Sequence, residues 1–134
     1  MKNLAINTFL ALTLALGLVA CSSPEPVDQT VTGELTDSDP RVPDDNSPYD
    51  EFAFEAGEGW TITGDMTSTA FDTYLWLIGP DGSSLVQDDD GGEGTNSRFS
   101  YTTTASGRYT IRANSFNDEG RGAYTLHYTA RPGN

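Results

Sequence analysis

The densest chemistry in the sequence is the run Asp88-Asp89-Asp90-Gly91-Gly92-Glu93-Gly94-Thr95-Asn96-Ser97. Three successive carboxylates repel one another unless a cation or solvent screens them. The glycines let the backbone wrap and offer carbonyl oxygens, and calcium takes roughly six to eight oxygens from such mixed donors. An ion here would draw on Asp88, Asp89, Asp90 and Asn96, with Asp72 contributing from the strand before them. The spacing does not fit an EF-hand, because Gly92 stands where the third ligand of a D-x-D-x-D loop belongs. The match of Gly91–Asn96 to a calcium-binding nonapeptide occurs once, whereas that fold stacks many copies. Two readings stay open: an irregular calcium loop, or an acidic turn screened by solvent alone. For Asp72 the alternative to a ligand is a fastener for backbone amides or for Arg98, since a polar side chain entering a core strand needs a partner.

A second acidic group, Asp37-Ser38-Asp39 with Asp44-Asp45-Asn46 and Asp50, lies among Pro40, Pro43 and Pro48. It reads as an exposed loop that could also supply ligands to a separate ion. Catalysis finds little footing. His127 is the single histidine, and it alternates with Leu126 and Tyr128, so it points away from their face, toward solvent. The chain has no G-x-S-x-G elbow and no glycine-rich phosphate loop running from a strand into a helix. Trp60, Tyr74, Trp76, Phe99, Tyr101, Tyr109, Tyr124 and Tyr128 fall at strand spacing, which makes most of them core. Trp76 is the foremost candidate for an exposed aromatic binding strip.

The elements that position these residues are all strands. Short apolar-alternating runs, split by Gly, Asp, Asn and Pro, begin at Val31 and carry the signature of an all-β sandwich. Strands are expected at Val31–Leu35, Tyr49–Phe54, from Trp60 and Ile62, at Phe71–Ile78, Ser83–Gln87, Arg98–Thr102, Arg108–Ala113 and Gly122–Thr129. Phe71–Ile78 is apolar on both faces, with Leu75 and Leu77 on one and Tyr74, Trp76 and Ile78 on the other. Such a strand lies deep, or beside something that covers it. Gly79-Pro80-Asp81-Gly82 is a tight turn. The sum is about eight strands in two packed sheets, a jelly-roll-like β-sandwich.

The N-terminus has a different character. Lys2 is followed by an uncharged, Leu- and Ala-rich run from Asn3 to Ala20, which reads as an export signal. It ends in Leu18-Val19-Ala20-Cys21, which resembles a bacterial lipobox. That resemblance implies cleavage before Cys21 and acylation of its sulfur and freed amine. Eighteen uncharged residues would barely span a bilayer, which needs roughly 20. The expected division is a signal at 1–20, a polar Pro-bearing tether at 21–30, and the sandwich at 31–130. Ser22 after the cysteine, by resemblance to Gram-negative sorting patterns, leans toward the outer membrane. Cys21 is the one cysteine, so no disulfide or zinc site arises from this chain alone. Without Lys2, six arginines face twenty carboxylates, and the formal charge of −13 becomes −14. Nucleic acid is excluded as a partner on that balance.

Several separated motifs, in order, resemble the bacterial pre-peptidase C-terminal domain. They are Tyr49-Asp50-Glu51-Phe52, Ala56-Gly57-Glu58, Phe71-Asp72-Thr73-Tyr74-Leu75-Trp76-Leu77-Ile78-Gly79-Pro80-Asp81-Gly82, Asp88-Asp89-Asp90-Gly91-Gly92, Asn96-Ser97-Arg98, Ser106-Gly107-Arg108-Tyr109-Thr110-Ile111 and Gly122-Ala123-Tyr124-Thr125-Leu126. The resemblance implies a non-catalytic β-sandwich of the kind that follows secreted peptidases, some related collagenase modules binding calcium and substrate. It departs from that arrangement in having no peptidase alongside. The expectation is a non-enzymatic binding or accessory module of the cell envelope, anchored to the membrane by its N-terminal lipid and serving an exported peptidase or another envelope partner, protein or polysaccharide; the alternative is a carbohydrate- or matrix-binding adhesion module.

Overall fold

The computed structural model describes residues 22–134; the expected signal at 1–20 and the expected lipidation site Cys21 lie outside the described residues. Eight strands follow one another: β1 Val27–Leu35, β2 Tyr49–Ala56, β3 Trp60–Thr67, β4 Thr73–Ile78, β5 Ser84–Asp88, β6 Ser97–Thr102, β7 Gly107–Ser115 and β8 Gly122–Pro132. They form two antiparallel four-stranded sheets, ordered β1-β8-β3-β6 and β2-β7-β4-β5. This is the jelly-roll order, so the expected fold class holds.

Period-two alternation builds the core. Leu35, Ile62, Met66, Leu126 and Ala130 of the first sheet meet Phe54, Ala56, Leu75, Leu77, Tyr109 and Ile111 of the second. Between the sheets the Tyr128 ring stacks on Phe54 at 5.5 Å. The Tyr124 hydroxyl donates to Asp50 Oδ2 at 2.5 Å, tying the sheets at one end. Burial is the main cause that holds the Tyr124 phenol far above its ordinary value, with Asp50 adding to it. The β4–β5 turn closes as expected, with Gly82 at φ 82° and its amide on the Gly79 carbonyl at 3.0 Å.

One boundary is corrected. Val27–Thr30 belong to β1 and pair with Ala130–His127 of β8, so the polar segment before the domain ends at Pro26. The composition of Asp28, Gln29 and Thr30 suggests a tether because all three are exposed. An edge strand, however, needs only one apolar face, and Val27 and Val31 pack against the core.

The pairing also fixes which features share an end of the sandwich. Val27 lies opposite Ala130, and Trp60 opposite Pro132. The start of β1 therefore sits at the end that carries the β2–β3 turn. Leu35 pairs with Gly122 and Tyr49 with Asn114, while Thr73 pairs with Ser115. Those residues, with the loop after Asp88, occupy the opposite end.

Candidate functional site

The acidic loop 88–96 hangs between β5 and β6 at that far end, anchored by buried hydroxyls. Ser97 Oγ donates to the Asp89 carbonyl at 2.6 Å and lies 2.7 Å from Thr73 Oγ1. Thr73 in turn reaches the Thr95 carbonyl through its hydroxyl, at 3.0 Å, and through its amide. Of the five expected ligands, three converge: carboxylate oxygens of Asp72, Asp89 and Asp90 all lie within 4.8 Å of one another. Asp72 Oδ1 and Asp89 Oδ1 are buried with no hydrogen-bond partner. Burial, as the largest cause, lifts both carboxyl groups above the ordinary carboxylate range. The charge of Asp90 adds to this for Asp72, and those of Asp72 and Asp90 add to it for Asp89.

Asp88 and Asn96 are occupied elsewhere. Asp88 Oδ2 accepts the amides of Gly91, at 2.8 Å, and Arg98, at 2.7 Å. Asn96 Oδ1 accepts the Ser68 amide at 3.1 Å. Arg98 does not fasten Asp72; its guanidinium binds Asp65 at 2.6 Å. An orphaned pair of buried acceptors beside a third carboxylate is a donor set that suits a hard divalent cation, since such oxygens call for a proton, a water or a cation.

Beside this triad, the outer face of the second sheet carries a cleft of about 300 Å³ lined by Tyr74, Trp76, Gln87, Asn114, Phe116 and Asp45. Tyr74 and Trp76 alternate with the buried Leu75 and Leu77, so β4 turns both rings outward. Phe116, 48 % exposed, is the exposed large hydrophobic residue among those described. The ring centroids lie 5.8 Å apart for Tyr74 and Trp76, and 6.2 Å apart for Tyr74 and Phe116, with interplanar angles of 57° and 41°. The rings are mutually tilted, so the surface is concave rather than a flat platform.

A buried relay fixes the walls. Trp76 Nε1 donates to Asn114 Oδ1 at 3.0 Å, and Asn114 Nδ2 donates to Ser47 Oγ at 2.9 Å. Ser47 Oγ donates to Asp45 Oδ1 at 2.6 Å. Asn114 and Ser47 are both buried. Arg112, held by Glu51 at 2.8 Å, lies over the Tyr49 ring at 4.1 Å and beside the Trp76 ring at 5.6 Å. Burial first, then the charges of Asp89, Asp88 and Asp45, hold the Tyr74 phenol above its ordinary value. Three carboxylates thus stand near the Tyr74 side of the cleft, and the Arg112 guanidinium stands at the Trp76 side.

No protein-family profile matches the sequence, and no curated protein matches it. Solved structures do. The chain is similar to the pre-peptidase C-terminal domain of a collagenase from Bacillus anthracis, with a TM-score of 0.56 at 14 % identity, over 76 % of this chain and 89 % of that one. The fold is that of a pre-peptidase C-terminal domain. It is equally similar to that of PliG from Aeromonas hydrophila, a periplasmic inhibitor of g-type lysozyme. There the TM-score is 0.55 at 11 % identity, over 81 % of this chain and 88 % of that one.

On the pre-peptidase C-terminal fold, the remaining sequence candidates separate cleanly. His127 faces outward on β8 and bonds Asp28 Oδ1 at 2.9 Å. Arg131 reaches the other Asp28 oxygen, so the three form a surface clasp between β1 and β8. The early acidic loop is dispersed. Asp37 pairs with Arg121 at 2.9 Å, Asp39 accepts the Thr36 amide at 2.6 Å, and Asp50 accepts Tyr124. Asp45 alone of that group reaches the cleft. Phe116 and Asn114 escape sequence reasoning. Asn114 breaks the alternation at the end of β7, and Phe116 lies in the loop beyond it. A weak signal for Asn114 exists, since an amide beside strand-spaced aromatics is a natural partner for an indole N–H.

Proposed function

We propose that this chain is a lipid-tethered, non-catalytic binding module of the bacterial cell envelope, stabilised by calcium at Asp72, Asp89 and Asp90, that presents the Trp76 cleft to an envelope partner. The observation that carries the reading is the cleft itself. Two aromatic rings directed outward by β4 and a third, half-exposed ring surround a concavity whose walls are fixed by the buried Asn114–Ser47 relay. Soluble domains seldom leave such rings together in the open unless they contact something. The fold shared with a collagenase accessory domain and with a periplasmic inhibitor supports a binding role outside the cytoplasm. The lipobox-like Cys21 supports a fixed position on the membrane.

A photo-crosslinking amino acid at position 116, in the full chain expressed in its bacterium, tests the binding role. A discrete adduct from position 116 and none from position 34, on the other sheet, is the expected result. No adduct, or the same adducts from both positions, would overturn it. Calcium is tested by melting. Millimolar calcium should raise the melting temperature over that in EDTA, and the rise should vanish in Asp72→Asn with Asp89→Asn. An identical melt in EDTA and calcium removes the ion from the proposal. A polysaccharide ligand is the second reading, favoured by the outward-turned, half-buried Tyr74 and Trp76 rings.

A further inference from the structure

We infer that the cleft formed by Tyr74, Trp76, Phe116 and Asp45 is a cation cup, which receives a lysine or arginine side chain from a polypeptide partner. The inference rests on the binding reading above and names the chemistry of what is bound. Its first support is shape. A sugar ring is best met by a flat aromatic face, whereas these rings are tilted by 41–57° to one another and enclose a concavity. Three aromatic rings lining one concavity suit a cation, because a ring face carries the negative part of the ring quadrupole.

The second support is the state of the polar groups. The Asn114 amide is consumed: its Oδ1 accepts Trp76, and its Nδ2 donates to Ser47 and to the Pro48 carbonyl. Gln87 accepts from Tyr74 at 3.0 Å and donates to Ser84 at 3.1 Å. That leaves one Gln87 N–H and the Asp45 carboxylate as the cleft's open polar groups. Asp45, by contrast, uses Oδ1 for the Ser47 amide and hydroxyl, and its exposed carboxylate stands on the rim with Oδ2 in hand.

The third support is a cation that the same sheet face already holds. Arg112 lies between the Tyr49 and Trp76 rings with Glu51 as its counter-ion. The cup offers a similar set of parts, aromatic rings and the Asp45 carboxylate, and shares one ring, Trp76, with the Arg112 site. Charge complementarity extends outward, because twenty acids against six arginines after Cys21 draw a basic segment toward this domain and repel an acidic one.

The test is a titration of the full chain carrying Trp60→Phe, which leaves Trp76 as the single tryptophan reporter. The probes are a tetralysine peptide, a tetraarginine peptide, a tetraglutamate peptide and a neutral oligosaccharide, at low ionic strength. Both basic peptides should shift the Trp76 emission saturably, while the other two should not. Phe116→Ser changes no charge and alters an exposed ring, so it should preserve the fold, as circular dichroism will verify, and weaken the basic peptides at least tenfold. Asp45→Asn should weaken them several-fold. Glu34→Gln, which removes one charge from the opposite sheet, should leave them within twofold. Equal losses for Asp45→Asn and Glu34→Gln, or binding that Phe116→Ser leaves intact, would reduce the effect to bulk charge and overturn the cup. A Trp76 response to the oligosaccharide alone overturns the cation and leaves the binding module standing. No Trp76 response to any probe overturns the cup, and crosslinking at position 116 then decides separately whether the module binds anything.

Discussion

Asp72 and Asp89 each bury one carboxylate oxygen that no donor meets, and this has a signed consequence for stability. Folding raises both pKa values, through burial first and neighbouring carboxylates second. The folded chain therefore binds these protons more tightly than the unfolded chain does. At acid pH both groups keep their protons and stability is intact, and it is lost as pH rises from the unfolded-chain value through the raised values. In EDTA, Asp89→Asn should melt above the parent protein, and the gap should widen as pH climbs from about 4 toward neutrality. Melting curves across that range check it, and a gap that closes with rising pH would contradict the assignment. The triad was only partly legible in the sequence. Residue types mark Asp88, Asp89, Asp90, Asn96 and Asp72 alike as donors, but not where each points. Asp88 spends its oxygen on the Gly91 and Arg98 amides, and Asn96 spends its own on Ser68. Loop closure, which composition does not encode, makes that choice.

At the scale of elements, β4 joins the two features. Thr73 at its start anchors the acidic loop, and Tyr74 and Trp76 line the cleft. Its two apolar faces are legible because alternation places Leu75 and Leu77 inward whatever the partner strand. The cover over its outer face is not, since Arg112 comes from β7 and Phe116 from the loop after it. The Thr73–Ser97 contact is equally hidden, because it joins residues on two different sheets. Ser97 is fully buried, so Ser97→Ala removes the bond to the Asp89 carbonyl and leaves that acceptor short of a partner. We expect a loss of about 1–3 kcal/mol in stability, read by denaturant unfolding. Amide exchange across residues 88–96 should quicken more than exchange in β3 or β8. Uniform protection, with no local loosening, would mean that the loop is held by its own turns instead.

The whole molecule has a direction, set by where its chain enters. With β1 starting at Val27, the proposed anchor at Cys21 is separated from the first strand by Ser22–Pro26 alone. That span reaches at most about 18 Å when fully extended, far less than the ten-residue tether that composition suggests. A lipid on Cys21 would thus keep the end bearing Val27, Trp60 and Pro132 close to the membrane. The acidic triad and the Phe116 side of the cleft lie at the other end, with Trp76 between them. From the turn at Ala56 and Gly107, the Trp76–Arg112 pair is five residues up β7, a rise of roughly 17 Å. The two tryptophans consequently report height. In lipidated protein on vesicles with a dansyl headgroup acceptor, the chain keeping only Trp60 should transfer energy efficiently. The chain keeping only Trp76 should transfer much less, because transfer falls steeply with distance. Cys21→Ala should abolish transfer from both. Equal transfer from the two tryptophans would mean that the sandwich lies along the bilayer, with the cleft at membrane level. A strong gradient means that five residues suffice to hold the cleft and the triad outward, where a basic partner can reach them.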